Sequence, residues 1–184
     1  MHTARLLIIG TVSALTVGLV AAPAAAAPTD GSTVTFEIVA GTMDIDAPAT
    51  ADMGTGAAGG DVSGQLGPVT ATDGRASADA SWVATVTSTD FQTGGGTPSE
   101  TILASEINYW SGPATATTGT GTFTPGQAAA DDAEPLDNVI GVVAFTHTGG
   151  TGNNTATWNP TLTVNAPLDS EAGIYTGTVT HSAA

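Results

Sequence analysis

Apolar and polar residues alternate with a period of two along much of this chain. Val34, Phe36 and Ile38 alternate with Thr33, Thr35 and Glu37. Successive side chains of a strand point to opposite faces, so this run predicts a strand with one buried face. Ala80, Trp82, Ala84 and Val86 against Ser81, Val83, Thr85 and Thr87 predict another, with Trp82 in the core. Ala156, Trp158, Leu162 and Val164 alternate with Thr155, Thr157, Thr161 and Thr163, and Tyr175, Gly177 and Val179 with Thr176, Thr178 and Thr180. Further strands are expected near Met43 to Ile45, Leu66 to Thr72, Ile102 to Tyr109, Ala114 to Thr124 and Val139 to His147. Between them lie turn-forming stretches: Asp73-Gly74, Gly94 to Pro98, and Gly149 to Asn154. Eight or nine short strands without helices imply an all-β fold, an antiparallel β-sandwich of immunoglobulin-like or Greek-key type.

Two strands share the spacing W-x-x-T-(aliphatic)-T, at Trp82 and at Trp158. Two core strands facing one hydrophobic layer produce this as readily as a duplication. Pro160 lacks a ladder donor, which predicts an edge or a bulge there.

Composition reinforces the β assignment, because Gly and Thr are abundant and the strong helix formers are scarce. Charge then removes whole classes of function. Arg5 and Arg75 are the only basic residues among 184, against 17 acids, for a formal charge of -15. A nucleic-acid binder needs a Lys/Arg stripe to neutralise phosphates, and this chain repels a polyanion. The absence of Cys excludes disulfides, thiolate zinc sites and cysteine nucleophiles, and the absence of Lys excludes Schiff-base chemistry.

Arg5, the apolar run Leu6 to Val20 and the small residues Ala21 to Ala27 have the three-part layout of a secretory signal. Cleavage is expected after Ala26, or alternatively after Ala24, leaving residues 27–184 as one secreted, acidic domain with Arg75 its only base. No second apolar segment long enough for a membrane span follows, and the end of the sequence carries no sorting pentapeptide or hydrophobic tail.

Trp82 in its amphipathic strand, Ser88-Thr89-Asp90-Phe91 before a glycine-rich loop, and the stretch Ala172 to Thr180 together resemble a WxL-domain protein, a class of secreted surface proteins of Gram-positive bacteria. The resemblance covers essentially the whole mature chain. Of the family's distal motif Y-x-x-x-(aliphatic)-T-W-x-L, Tyr175, Val179 and Thr180 fit, while His181 stands at the Trp position and Ala183 at the Leu position. The proximal W-x-L fits at Trp82, with Ala84 third, so the chain is similar to a divergent member. The resemblance implies a β-sandwich that associates non-covalently with peptidoglycan or other cell-wall polysaccharide, alongside other surface proteins, and it implies no enzyme.

Candidate chemistry is sparse. His147 and His181 are the histidines of the mature chain, and no nucleophile signature accompanies either, so both are expected as strand-end residues. Asp131, Asp132, Glu134 and Asp137 form the densest acid cluster. Its oxygen ligands suit a weak Ca²⁺ site, and a solvated loop is the alternative; no other cofactor is implied. Asp44 and Asp46 share one strand face. The Thr-rich run Thr115 to Thr122 raises an ice- or crystal-binding array, without a repeat of fixed period to support it.

Tyr109 and Trp110 are adjacent, so with Ile107 and Tyr109 facing the core, Asn108 and Trp110 face out. An outward aromatic beside an amide is the composition of a sugar-stacking platform. The alternative is that Trp110 folds over the edge of the core. The expected function is a non-enzymatic wall-binding or scaffold module, with a carbohydrate-binding module for extracellular glycans as the runner-up and an extracellular hydrolase third.

Overall fold

A computed structural model describes residues 28–184; residues 1–26, which the sequence pattern predicts to be a secretory signal, and Ala27 lie outside the described residues. Residues 28–37 carry no strand, and every strand lies from residue 43 onward. In chain order the strands are β1 (Met43–Asp46), β2 (Asp61–Gln65), β3 (Val69–Asp73), β4 (Trp82–Ser88), β5 (Phe91–Gln92), β6 (Thr101–Ile102) and β7 (Ile107–Trp110). They continue with β8 (Ala114–Thr118), β9 (Thr122–Pro125), β10 (Glu134–Pro135), β11 (Val142–Thr148), β12 (Asn154–Trp158), β13 (Thr161–Asn165) and β14 (Val179–Ala183). Among the described residues helical structure is limited to three single 3₁₀ turns, and none of their helices is long and apolar enough to cross a membrane.

The sheets run β1-β3-β12-β8, β2-β13-β7-β10 and β14-β4-β11-β9, all antiparallel, with β5-β6 as a small hairpin. The first two are halves of one long sheet whose three inner strands break at the same level. The row Val69, Trp158 and Ala114 lies on one side of the break and the row Gln65, Thr161 and Trp110 on the other. The connecting residues are Leu66-Gly67-Pro68, Asn159-Pro160 and Ser111-Gly112-Pro113. Each break contains a proline, which cannot donate to a ladder. Gly67 and Gly112 take φ of 101° and 69°, a backbone region that strains any residue with a Cβ. Side chains replace the lost ladder: Asn159 Oδ1 accepts from Gly67 N at 3.1 Å, and Gln127 Oε1 from Ser111 N at 3.1 Å. Pro160 thus marks a kink in an inner strand and not an edge.

The long sheet packs on the β14-β4-β11-β9 sheet through the predicted inner faces, so the sandwich is as expected. The strand number, fourteen, exceeds eight or nine largely because kinks divide long runs. Phe145 sits between the two tryptophans, its ring 5.0 Å from Trp158 and stacked, and 6.4 Å from Trp82 and tilted. Both W-x-x-T strands therefore face one aromatic layer. Ile107, Tyr109, Leu162, Val69 and Val86 complete the buried core around it.

Several expectations fail. The strand expected from Tyr175 begins only at Val179, since Thr176 makes a single bridge to Gln92, and a 3₁₀ turn at Ala104–Glu106 splits the run Ile102 to Tyr109. The run Thr33 to Ile38 forms no strand, and Val34, Phe36 and Ile38 are 82%, 85% and 76% exposed. Val139 and Ile140 are exposed ahead of β11, where the Asp137 carboxylate ties their N–H groups into a turn. The run Ala114 to Thr124 is interrupted: β8 belongs to one sheet and β9 to the other, and the chain crosses between them through Gly119 and Gly121, both at positive φ. Thr115 to Thr122 therefore forms no continuous flat array.

Candidate functional site

Cross-strand partners share a sheet face, so register places the outward side chains of the long sheet in rows. Below the break, Gln65, Thr161 and Trp110 form one row and Ser63, Thr163 and Asn108 the next. Above it lie Asp46, Thr70, Thr157 and Ala116, then Asp44, Thr72, Thr155 and Thr118. Partners stand about 4.8 Å apart and rows about 7 Å apart, the spacing of any pleated sheet. Several hydroxyls bond across the strands: Ser63 to Thr163 at 2.9 Å, Thr70 to Thr157 at 3.0 Å and Thr118 to Thr155 at 2.7 Å. The outcome is a face rich in hydroxyls and amides that carries one aromatic ring, Trp110, beside the break.

The predicted residues Trp110 and Asn108 both lie on this face, half-buried, while Ile107 and Tyr109 of the same strand are fully buried. The indole is not wholly free, since its Nε1–H is enclosed without an acceptor among the described residues. The Nε1 edge of the ring is turned inward, and the residue as a whole is half-buried.

Asp131, Asp132, Glu134 and Asp137 are not brought together. Asp132 caps the Ala129 N–H at 3.0 Å in a 3₁₀ turn. Glu134 pairs at the sheet edge opposite Tyr109. Asp137 accepts from Val139 N at 2.6 Å and Ile140 N at 3.0 Å, and these bonds, Ile140's foremost, hold its carboxyl below the usual range. Among the described residues no group of three or more His, Asp or Glu side chains gathers to hold a metal ion.

Neither histidine meets a nucleophile; both are built into the body. His147 is buried with Nδ1 2.7 Å from the Ala80 carbonyl and Nε2 2.9 Å from that of Thr120, which staples β11 to two loops. A neutral ring donates to one of these carbonyls, a protonated ring to both. His181, on the inner face of β14, lies 3.1 Å from the Tyr109 hydroxyl, which also accepts from Trp158 Nε1 at 3.0 Å. The hydroxyl proton then goes to His181 Nε2, leaving an Nδ1–H with no acceptor among the described residues. Burial pushes the His181 imidazole down to about 4 and the Tyr109 phenol up.

No protein-family model matches this chain, and no curated protein matches it either. The site is thus defined by its own geometry.

Two shallow depressions lie elsewhere. One, of about 470 Å³, is lined by Thr89, Asp90, Gln92, Asn138 and Thr176 to Thr178; the other, of about 500 Å³, includes Leu103 and Pro167. Neither includes Trp110 or Asn108. Sequence reasoning missed the buried polar relay at the opposite end of the core. Trp82 Nε1 donates to Asn154 Oδ1 at 2.7 Å, Asn154 Nδ2 to Asp73 Oδ2 at 3.3 Å, and Arg75 grips Asp73 bidentately at 2.9 and 3.0 Å. The Arg75 guanidinium holds the Asp73 carboxyl below its ordinary value. Arg75 being one of only two Arg in a chain without Lys was the available signal.

Proposed function

We propose that this chain is a secreted, non-enzymatic module that binds cell-wall polysaccharide or peptidoglycan through the outer face of its long sheet. The observation that carries this is the in-register row Gln65, Thr161 and Trp110 beside Ser63, Thr163 and Asn108. An indole face takes the apolar side of a sugar ring, and flanking amides and hydroxyls bond its hydroxyl groups. The WxL-like motifs around Trp82 and Tyr175 favour the wall over a free glycan, and the secretory layout of residues 1–26 supports export. Both His rings being committed to the core favours binding over hydrolysis.

Retention of the mature chain on purified cell walls tests the reading. Trp110→Ala should weaken retention about tenfold to a hundredfold, the loss of about 1 to 3 kcal/mol of stacking. Far-UV circular dichroism should remain that of a β-sandwich. Unchanged retention of Trp110→Ala would move the binding surface off this face, and no retention of the unsubstituted chain, or binding only to soluble glycans, would remove the wall from the account.

A further inference from the structure

Residues 33–39 have the pattern of a strand with one apolar face, yet Val34, Phe36, Ile38 and Val39 are between 76% and 85% exposed. Scattered exposed apolar residues are ordinary, but a contiguous run of strand-forming ones with no strand partner is what a neighbouring sheet recruits. We propose that this segment is a donor strand that adds to the free edge of β14 in a second copy of the chain, reciprocally, making a strand-exchanged dimer.

The choice of β14 follows from backbone accounting. Val83 and Ala184 exchange both of their N–H to carbonyl bonds, at 2.9 and 3.1 Å. In an antiparallel ladder this sends the backbone groups of Thr180 and Ser182 to β4 as well. The N–H and carbonyl groups of Val179, His181 and Ala183 therefore point the other way, where no strand pairs among the described residues. Their side chains face inward and are only half-buried, as are Met43 and Ile45 of β1, which borders the same side of the sandwich. An added strand would set Val34, Phe36 and Ile38 over this incomplete margin and leave Thr33 and Thr35 beside Thr180 and Ser182. Seven residues span about 23 Å and cover a five-residue strand of about 17 Å.

Charge favours the same edge. The chain is strongly acidic and the segment carries Glu37, while β1, β2 and β10 bear Asp44, Asp46, Asp61 and Glu134. β14 has no carboxylate side chain. β8 and β9 also lack acids, but the half-buried apolar side chains there are Ala114 on β8 and Phe123 and Pro125 on β9, and Pro125 offers no backbone N–H to an added strand, whereas β14 has an inward row of three with every N–H intact. A second copy satisfies both halves at once, because each chain supplies one donor and one acceptor, as a two-fold interface requires.

Sedimentation of the mature chain over a wide concentration range should give twice the monomer mass. Phe36→Asp, in the donor, and Ala183→Pro, which removes an outward N–H of the acceptor, should each weaken dimerisation at least tenfold. Mixing the two variants should restore a one-to-one complex, because one donor and one acceptor remain intact between them. If Ala183→Pro lowers the melting temperature, binding of a synthetic 31–40 peptide to the Phe36→Asp protein replaces it as the readout. A monomer at every concentration, a dimer that survives Phe36→Asp, or failure of both mixture and peptide overturns the proposal.

Discussion

The two buried tryptophans end in different chemistry. At one end of the core, Trp82 donates its N–H to Asn154 and Asn154 donates to Asp73, whose carboxylate accepts from a guanidinium that reaches solvent. At the other, Trp158 donates to Tyr109 and Tyr109 to His181, whose second nitrogen meets no acceptor among the described residues. The first relay closes on an opposite charge, and the second closes on a ring that stays neutral because burial disfavours its charged form. Similar aromatic packing therefore carries two different sensitivities to acid.

The largest effect should come from deleting an anchor. Trp82→Ala removes a buried ring and orphans Asn154, at a cost of about 3 to 5 kcal/mol, measurable by denaturant titration. A change below 1 kcal/mol, on the order of a surface substitution, would mean that the relay is marginal.

Acid should separate the two ends next. The His181 imidazole falls from 6.5 to about 4 on folding, so between those values the unfolded chain holds a proton that the folded chain does not. Stability is complete above the upper value and declines as pH falls toward the lower, by roughly 3 kcal/mol. His181→Phe should flatten this limb of the pH-stability curve; an unchanged limb assigns the loss to another group. Asp73 has the same sign at lower pH: its contribution is present above the ordinary carboxylate value of 3.8 and is lost as pH falls through its depressed folded value. The Trp158 end should thus loosen first.

Arg75→Met sharpens the contrast by leaving the Asp73 carboxylate buried without its cation. Because the guanidinium is 36% exposed, solvent screening holds the cost to about 1 to 3 kcal/mol. The smallest stability effect belongs to the outer face. Trp110→Phe keeps an apolar ring in a half-buried position and should move the melting temperature by only about 2 to 4 °C, near 1 kcal/mol for a domain of this size.

The body of the fold was legible because alternation is a direct record of burial: at Trp82 to Val86 and Thr161 to Val164 every inward position is covered. The same alternation at Thr33 to Ile38 records an apolar face but not whether this chain supplies its cover. β2, Asp61 to Gln65, was illegible because Gly64 and Ser63 carry almost no hydrophobic signal, and its place is fixed by pairing to β13. Trp110 and Asn108 were placed on the outer face by parity alone. Their neighbours Thr161, Thr163, Gln65 and Ser63 come from distant segments, and no local pattern states a cross-strand register. The buried relay was hidden for the same reason, since Trp82 and Asn154 lie 72 residues apart.

The aligned breaks at Pro68, Pro113 and Pro160 have a mechanical meaning. A sheet resists bending through its continuous ladder, and here the ladder is thinned along one line that crosses all three inner strands, where Asn159 and Gln127 side chains stand in. The long sheet therefore behaves as two stiff plates joined by a crease, with Trp110 at the margin of one plate and the threonine rows on the other. Load carried along the strands concentrates at that line, so the crease, and not the aromatic core, is where a tethered copy of this protein would yield first.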